Sequence, residues 1–139
     1  MLWNSDHILD VIDDVLAPYD ISESKLDLLL LIRLHEIQHK VTASALAQRL
    51  GIRRASATIL LNSVEKKGWI YRQQSEEDGR KSYIYLTSSG KQLVDTVLPV
   101  FWEACASLVQ DLDEQEQQVL HKIMLKLNRG IENRLGSGR

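Results

Sequence analysis

The sequence predicts a mainly α-helical chain carrying one small β-hairpin, and three observations point there. Between Thr42 and Lys67 two short helical periods are separated by a turn. Between Trp69 and Leu86 two alternating runs flank a polar stretch. On either side lie longer segments whose apolar residues recur at helical spacing.

The first short helix runs from Thr42 to Gly51. Thr42 is a good N-cap, Ala45, Leu46 and Leu50 form the apolar stripe, and Gly51 stops it. A second helix runs from Arg54 to Lys67 with Ala57, Leu60, Leu61 and Val64 as its stripe, and Gly68 closes it. Residues 69–73 and 82–86 read as strands around Ser75 to Lys81, where Asp78-Gly79 is a hairpin turn signal. Helix, turn, helix, hairpin is a winged helix-turn-helix. Such a unit offers one helix to the major groove and a charged hairpin tip to the backbone or minor groove.

The flanking segments read as scaffold. Residues 3–17 form a helix with Ile8, Leu9, Ile12, Val15 and Leu16 on one side and four aspartates on the other, ended by Pro18. Ser22 or Ser24 caps the next helix, which reaches about Gln38 and is apolar nearly all round, as a central helix is. Ser88 to Leu112 repeats apolar pairs over about 37 Å if helical throughout, with Pro99 expected to kink it. Asp113 with Glu116 makes a capping-box start for a last helix striped by Leu120, Ile123, Met124, Leu127, Ile131 and Leu135. Such stripes need a partner; a second copy is the simplest, an intramolecular bundle the alternative.

A length of 139 residues suits one domain, and the formal charge of −2 would by itself argue against a nucleic-acid binder. The distribution of charge points the other way. Residues 1–39 carry two basic side chains against eight acidic ones, residues 40–81 nine against four, and residues 82–139 six against seven. A basic module between acidic ones is the footprint of a DNA-reading face on a self-associating scaffold. The single Cys105 excludes an intramolecular disulfide and fits a reducing cytosol. The early aspartates do not suit a signal peptide, and the most apolar run, Leu26 to Leu34, is too short and too charged to span a bilayer. The expected location is the cytoplasm, with no membrane partner.

Leu46-Ala47, the run from Val64 to Arg72, Asp78-Gly79-Arg80 and Leu86-Thr-Ser-Ser-Gly90 resemble, in order and spacing, the MarR family of bacterial and archaeal transcription regulators. The resemblance covers roughly residues 20 to 130; its most specific part is Asp-x-Arg followed by Leu-Thr-x-x-Gly. It implies a single domain over 1–139, with a DNA-binding lobe at 22–87 and dimerisation helices at 1–20 and 88–135. It further implies a homodimer on a pseudo-palindromic double-stranded operator, with repression the commoner mode. In the family a small, often aromatic, effector binds between the dimerisation helices and the lobe, where Trp3, Tyr19 and Trp102 could line a pocket; those aromatics suit a core equally.

If Ala57, Leu60, Leu61 and Val64 face inward, then Arg54, Ala55 and Ser56 are the best base-edge candidates at the helix start. Ile59 could pack on a thymine methyl or be half-buried. Thr42, Ser44, Thr58 and Asn62 suit phosphate contacts, which fix register without reading sequence. Arg53 departs from the family, which usually has Ser or Thr there, because an arginine cannot accept the free N–H bonds of a helix start. Either a neighbouring group or water satisfies those bonds, or Arg53 substitutes phosphate affinity for a cap. In the wing, Arg80 can reach a narrow minor groove beside Lys81. Asp78 would orient Arg80 or pair with Arg72.

His35-Glu36-Ile37-Gln38-His39 is a literal His-Glu-x-x-His, the zinc-peptidase pattern. It lacks the extended third histidine, since position 45 is Ala, and sits at the end of a core helix. Metal-sensing relatives also use a histidine pair in the long fifth helix, and residues 88–112 contain none. Cys105 on an apolar stripe reads as core. Neither a metal, a cofactor nor an enzyme activity is expected. The competing readings are a winged helix kept only for protein interaction and a metal-responsive regulator.

Overall fold

The computed structural model describes residues 2–36 and 40–135, with the side chains of Leu2, Trp3 and Leu135 outside the description. Among these residues the order is α1 (Leu2–Leu16), α2 (Glu23–His35), α3 (Ala43–Leu50), α4 (Arg54–Lys66), β1 (Ile70–Gln74), β2 (Ser82–Leu86), α5 (Ser88–Ser107) and α6 (Glu114–Leu135). The mainly α class with one hairpin is the one the sequence predicts.

Pro18 does not simply end α1. It opens a 3₁₀ turn over Ala17–Tyr19, where its missing N–H is harmless, and Asp20 follows in the left-handed region at φ 56°. Ser22 stands at the N-cap of α2, yet neither it nor Ser24 caps through its side chain. The free N–H of Glu23 donates instead to Asp13 Oδ1 of α1 at 2.9 Å. α2 packs against α1, α3, α4, α5 and β2 and supplies the buried Leu26, Leu28, Leu29 and Ile32. Its apolar girth is not all internal. Leu34 is exposed, and with half-buried Leu30, Leu31 and Leu50 it borders an open groove toward α3.

β1 and β2 pair antiparallel from Ile70 opposite Leu86 to Gln74 opposite Ser82. Ile70, Ile84 and Leu86 point into the core, while Tyr71 and Tyr85 stack on the other face, ring centres 5.4 Å apart. The connection is longer than the Asp-Gly signal suggests. Gly79 does not take the positive φ of a two-residue hairpin turn; the turn runs from Asp78 to Lys81, whose N–H donates to the Asp78 carbonyl at 2.9 Å.

Hydrogen bonds through Thr87 lock the hairpin to α5. The Thr87 N–H donates to the Trp69 carbonyl at 3.0 Å, its hydroxyl to the Gly68 carbonyl at 2.6 Å, and Thr87 Oγ1 accepts the Gly90 N–H at 3.0 Å. Gly90 lies so close to Trp69 that a Cβ there would run into the Trp69 carbonyl. α5 continues through Pro99 but stops at Ser107, short of the expected Leu112, and turns occupy residues 108–112. The capping box before α6 is complete: the Asp113 N–H donates to Glu116 Oε2 and the Glu116 N–H to Asp113 Oδ1, both at 2.9 Å. Every α6 residue described to Arg134 is exposed.

Candidate nucleic-acid interface

α3 and α4 are set by their ends. Thr42 Oγ1 accepts the Ala45 N–H at 3.2 Å, so the Thr42 hydroxyl proton stays available to an outside acceptor. Gly51 ends α3 at φ 64°, and a short turn leads to Arg53. As its chemistry predicts, Arg53 occupies the N-cap position of α4 in extended conformation without a capping bond. Gly51, Ile52, Arg53 and Ser56 border an open cleft in front of that helix start.

α4 divides cleanly. Ala57, Leu61 and Val64 are buried and Leu60 is half-buried, as the stripe predicts. Arg53, Arg54, Ala55, Ser56, Thr58, Ile59 and Asn62 are all exposed. At roughly 100° per residue, Ala55, Ile59, Asn62 and Lys66 occupy the sector opposite the core. Ile59 is 70% exposed and so is not half-buried. The Thr58 hydroxyl donates to the Arg54 carbonyl at 2.9 Å, which leaves its oxygen to accept rather than to donate to a phosphate. Ser44 on α3 is exposed and Thr42 half-buried.

In the wing, Asp78 Oδ1 accepts the backbone N–H of Arg80 at 3.1 Å, and Ser75 Oγ accepts the Asp78 N–H at 3.2 Å. Asp78 therefore shapes the turn without holding the Arg80 guanidinium. Arg80 and Lys81 are exposed. Arg72 is not paired with Asp78: its Nη2 donates to Asn62 Oδ1 at 2.7 Å and lies 3.5 Å from Glu65 Oε2, both on α4.

Sequence reasoning also passes over two anchors of this face. Lys67, at the end of α4, forms an ion pair with Asp20 and lies 4.8 Å over the Trp69 ring. Its ammonium holds the Asp20 carboxyl below the ordinary range, chiefly by hydrogen bonding. Glu36 Oε2 accepts the Leu86 N–H at 3.0 Å and Oε1 meets Lys91 Nζ at 3.1 Å. The signal for either was only the presence of a charge near the end of an element.

The remaining sequence candidates are placed as follows. The Glu of the His-Glu-x-x-His match is Glu36, committed to Leu86 and Lys91. His35 Nε2 faces Arg49 Nη1 at 2.6 Å, and His39 lies outside the described residues. Among the described residues no three His, Cys, Asp or Glu side chains gather as a metal site would need. Cys105 is half-buried against the core, as expected of a packing residue. Tyr19 packs half-buried on the core and Trp102 is 61% exposed on α5, while the Trp3 side chain lies outside the description. No described helix is long and apolar enough to cross a membrane.

The sequence model of the MarR family matches residues 19–81. The chain is 31% identical over 97 residues to the transcriptional repressor MprA of Escherichia coli, a match covering 65% of this chain and 53% of that protein; it thus spans about half of that relative's length. It is 26% identical over 114 residues to the transcriptional repressor YetL of Bacillus subtilis, covering 82% and 68% respectively. Among solved structures it is similar to S. aureus MepR in complex with DNA, at a TM-score of 0.84 and 27% identity over 92% of this chain and 93% of that one. A variant of E. coli MarR complexed with operator DNA shares the fold at a TM-score of 0.78 and 22% identity, over 88% and 86%.

Proposed function

Since the chain belongs to the MarR family, we propose that it is a non-enzymatic, sequence-specific regulator of transcription that binds double-stranded DNA through α4 and the wing. The observation that carries this reading is the division of α4. One face is core, and the other presents two arginines, small residues, an isoleucine and an asparagine to solvent, a surface suited to base edges and phosphates. Arg54, Ala55 and Ser56 would read bases with Ile59. Arg53, Thr42, Ser44, Arg80 and Lys81 would engage the backbone or minor groove, with Asp78 shaping the wing. Asn62 contributes from the centre of the outward sector.

A second copy of the chain completes the reader. Ile8, Leu9 and Val11 of α1, Trp102 of α5 and Val119, Leu120, Ile123, Met124, Leu127 and Ile131 of α6 are exposed apolar side chains, more than a soluble monomer leaves uncovered. Two-fold pairing through these helices would set the two α4 helices for half-sites about 34 Å apart. The lobe is residues 22–87, flanked by pairing helices in 1–20 and 88–135. Repression is the mode of the named relatives MprA and YetL, and we assign it here. A small aromatic effector seated near Tyr19 and Trp102 would relieve it by favouring another lobe arrangement. The cytoplasm is the corresponding location.

Affinity for the DNA flanking the chain's own gene, measured against salt beside a random duplex, tests the reading. Arg80→Ala should weaken both and lower the salt slope by about one unit for each phosphate that the arginine neutralises. Arg54→Ala should cost about 1–3 kcal/mol on the operator alone. Unchanged binding in both variants, or a clean monomer on ultracentrifugation at micromolar concentration, would count against it.

A further inference from the structure

Arg72 stands on β1, outside the helices that a helix-turn-helix lays against a duplex, yet its guanidinium reaches α4 and donates to Asn62 Oδ1 at 2.7 Å. A guanidinium carries only donors. The end of the Asn62 amide that faces it must therefore be the carbonyl oxygen, and chemistry fixes the orientation between two ends of similar shape. Glu65 Oε2, 3.5 Å from the same Nη2, holds the guanidinium from the next turn of the helix. The Asn62 NH2 is then turned away from Arg72, on a residue central to the outward sector of α4.

We infer that Arg72 is a positioning residue that holds the Asn62 amide with its NH2 outward, so that Asn62 favours guanine over adenine. The inference rests on the DNA reading above and names what one residue of that surface recognises. Guanine offers two acceptors, O6 and N7, to the major groove, and an outward NH2 can donate to either. The bidentate adenine pair needs the same amide to donate to N7 while accepting from the N6 amino group. Arg72 takes one of the two lone pairs of Oδ1 and holds the carbonyl end toward itself, so that second bond is disfavoured. The ion pair with Glu65 also offsets the Arg72 charge, leaving it less suited to seek a phosphate of its own.

Selection from a randomised half-site followed by sequencing tests this in the full chain, with wild type, Asn62→Ala, Arg72→Met and Arg72→Lys first matched by melting temperature. Wild type should select guanine at one position per half-site, and Asn62→Ala should flatten that position alone. Arg72→Met frees Oδ1 and should swing the preference toward adenine by about 5- to 150-fold. Arg72→Lys keeps a donor and should keep guanine. Asn62→Ala leaving every position unaltered, or Arg72→Met lowering affinity evenly without moving a base preference, would overturn the inference. Wild type selecting no duplex at all would overturn the DNA reading instead. The hold on Asn62 is then still decided in the free protein: its side-chain amide should be ordered on the NMR timescale in wild type and averaged in Arg72→Met, and equal order in both would defeat it.

Discussion

Glu36 and Leu86 are fifty residues apart, and the Glu36 carboxylate accepts the Leu86 backbone N–H at 3.0 Å. This bond joins the end of the central helix to the last residue of the wing. Glu36 is almost buried, with its second oxygen on a half-exposed Lys91. Glu36→Ala leaves a buried N–H without its charged acceptor and should cost about 1.5–3 kcal/mol. Glu36→Gln still accepts from Leu86 and should cost less, about 1 kcal/mol, because the Lys91 partner it loses is half-exposed. Urea midpoints decide it; equal losses in the two variants would count against the brace.

Gly90 provides a test of opposite sign to the usual one. Alanine in place of a helical glycine ordinarily stabilises by about 0.5–1 kcal/mol. At Gly90 the new Cβ meets the Trp69 carbonyl, itself fixed by the Thr87 N–H. Gly90→Ala should therefore destabilise by about 1–3 kcal/mol, while exposed Ser89→Ala stays within about 0.5 kcal/mol. A rise in melting temperature for Gly90→Ala would show that the close approach is not kept in solution.

Ile59 is read most directly by changing the DNA. Replacing thymines one at a time by deoxyuridine removes a single methyl from the major groove. One such change per half-site should cost the wild type about 0.8 kcal/mol, the burial of one carbon, and should cost Ile59→Ala nothing. Fluorescence anisotropy against each duplex gives the answer, and a loss that persists in Ile59→Ala would assign the methyl contact elsewhere.

Two carboxylates near the start of α2 should give opposite pH trends. Burial, and then the charges of Asp27 and Asp13, push Glu23 above its ordinary 4.5. Its ionised form therefore costs native stability at neutral pH, and the cost vanishes as pH falls through the raised value. Glu23→Gln should melt higher than wild type at pH 7 and converge with it as pH drops toward 4.5. Asp20, held down by Lys67 from its ordinary 3.8, contributes stability above that value and loses it as pH falls through the lowered one. Asp20→Asn should melt lower at pH 7, the gap closing only below pH 3.8. Thermal melts across this range check both signs.

The helix caps and stripes around Thr42, Gly51 and Ala57 are legible in the sequence because their causes lie within a few residues. The capping box at Asp113 and Glu116 is legible for the same reason. Partners chosen by the path of the chain are not: Arg72 finds Asn62 across a turn of chain, and Glu36 finds Leu86 across the whole lobe. Periodicity also outruns structure at the end of α5, since Leu108, Val109 and Leu112 recur in phase through residues that form turns. The Asp78-Gly79 pair misleads in a similar way, because the turn chemistry is real but acts one step later in a longer loop. The outward face of α4 follows from the sequence by subtraction, once its buried stripe is known.

The closed cap at Asp113 and Glu116 has a kinetic consequence. A helix start that satisfies two of its free N–H groups locally lowers the cost of nucleation, and α6 then runs for 22 residues. Two copies would meet with these arms already wound, so little ordering entropy remains to be lost on contact. Association would then be an encounter between preformed surfaces, with a rate that depends on collision and orientation rather than on coupled folding. Replacing Asp113 with alanine would slow pairing without touching a single side chain of the apolar stripe.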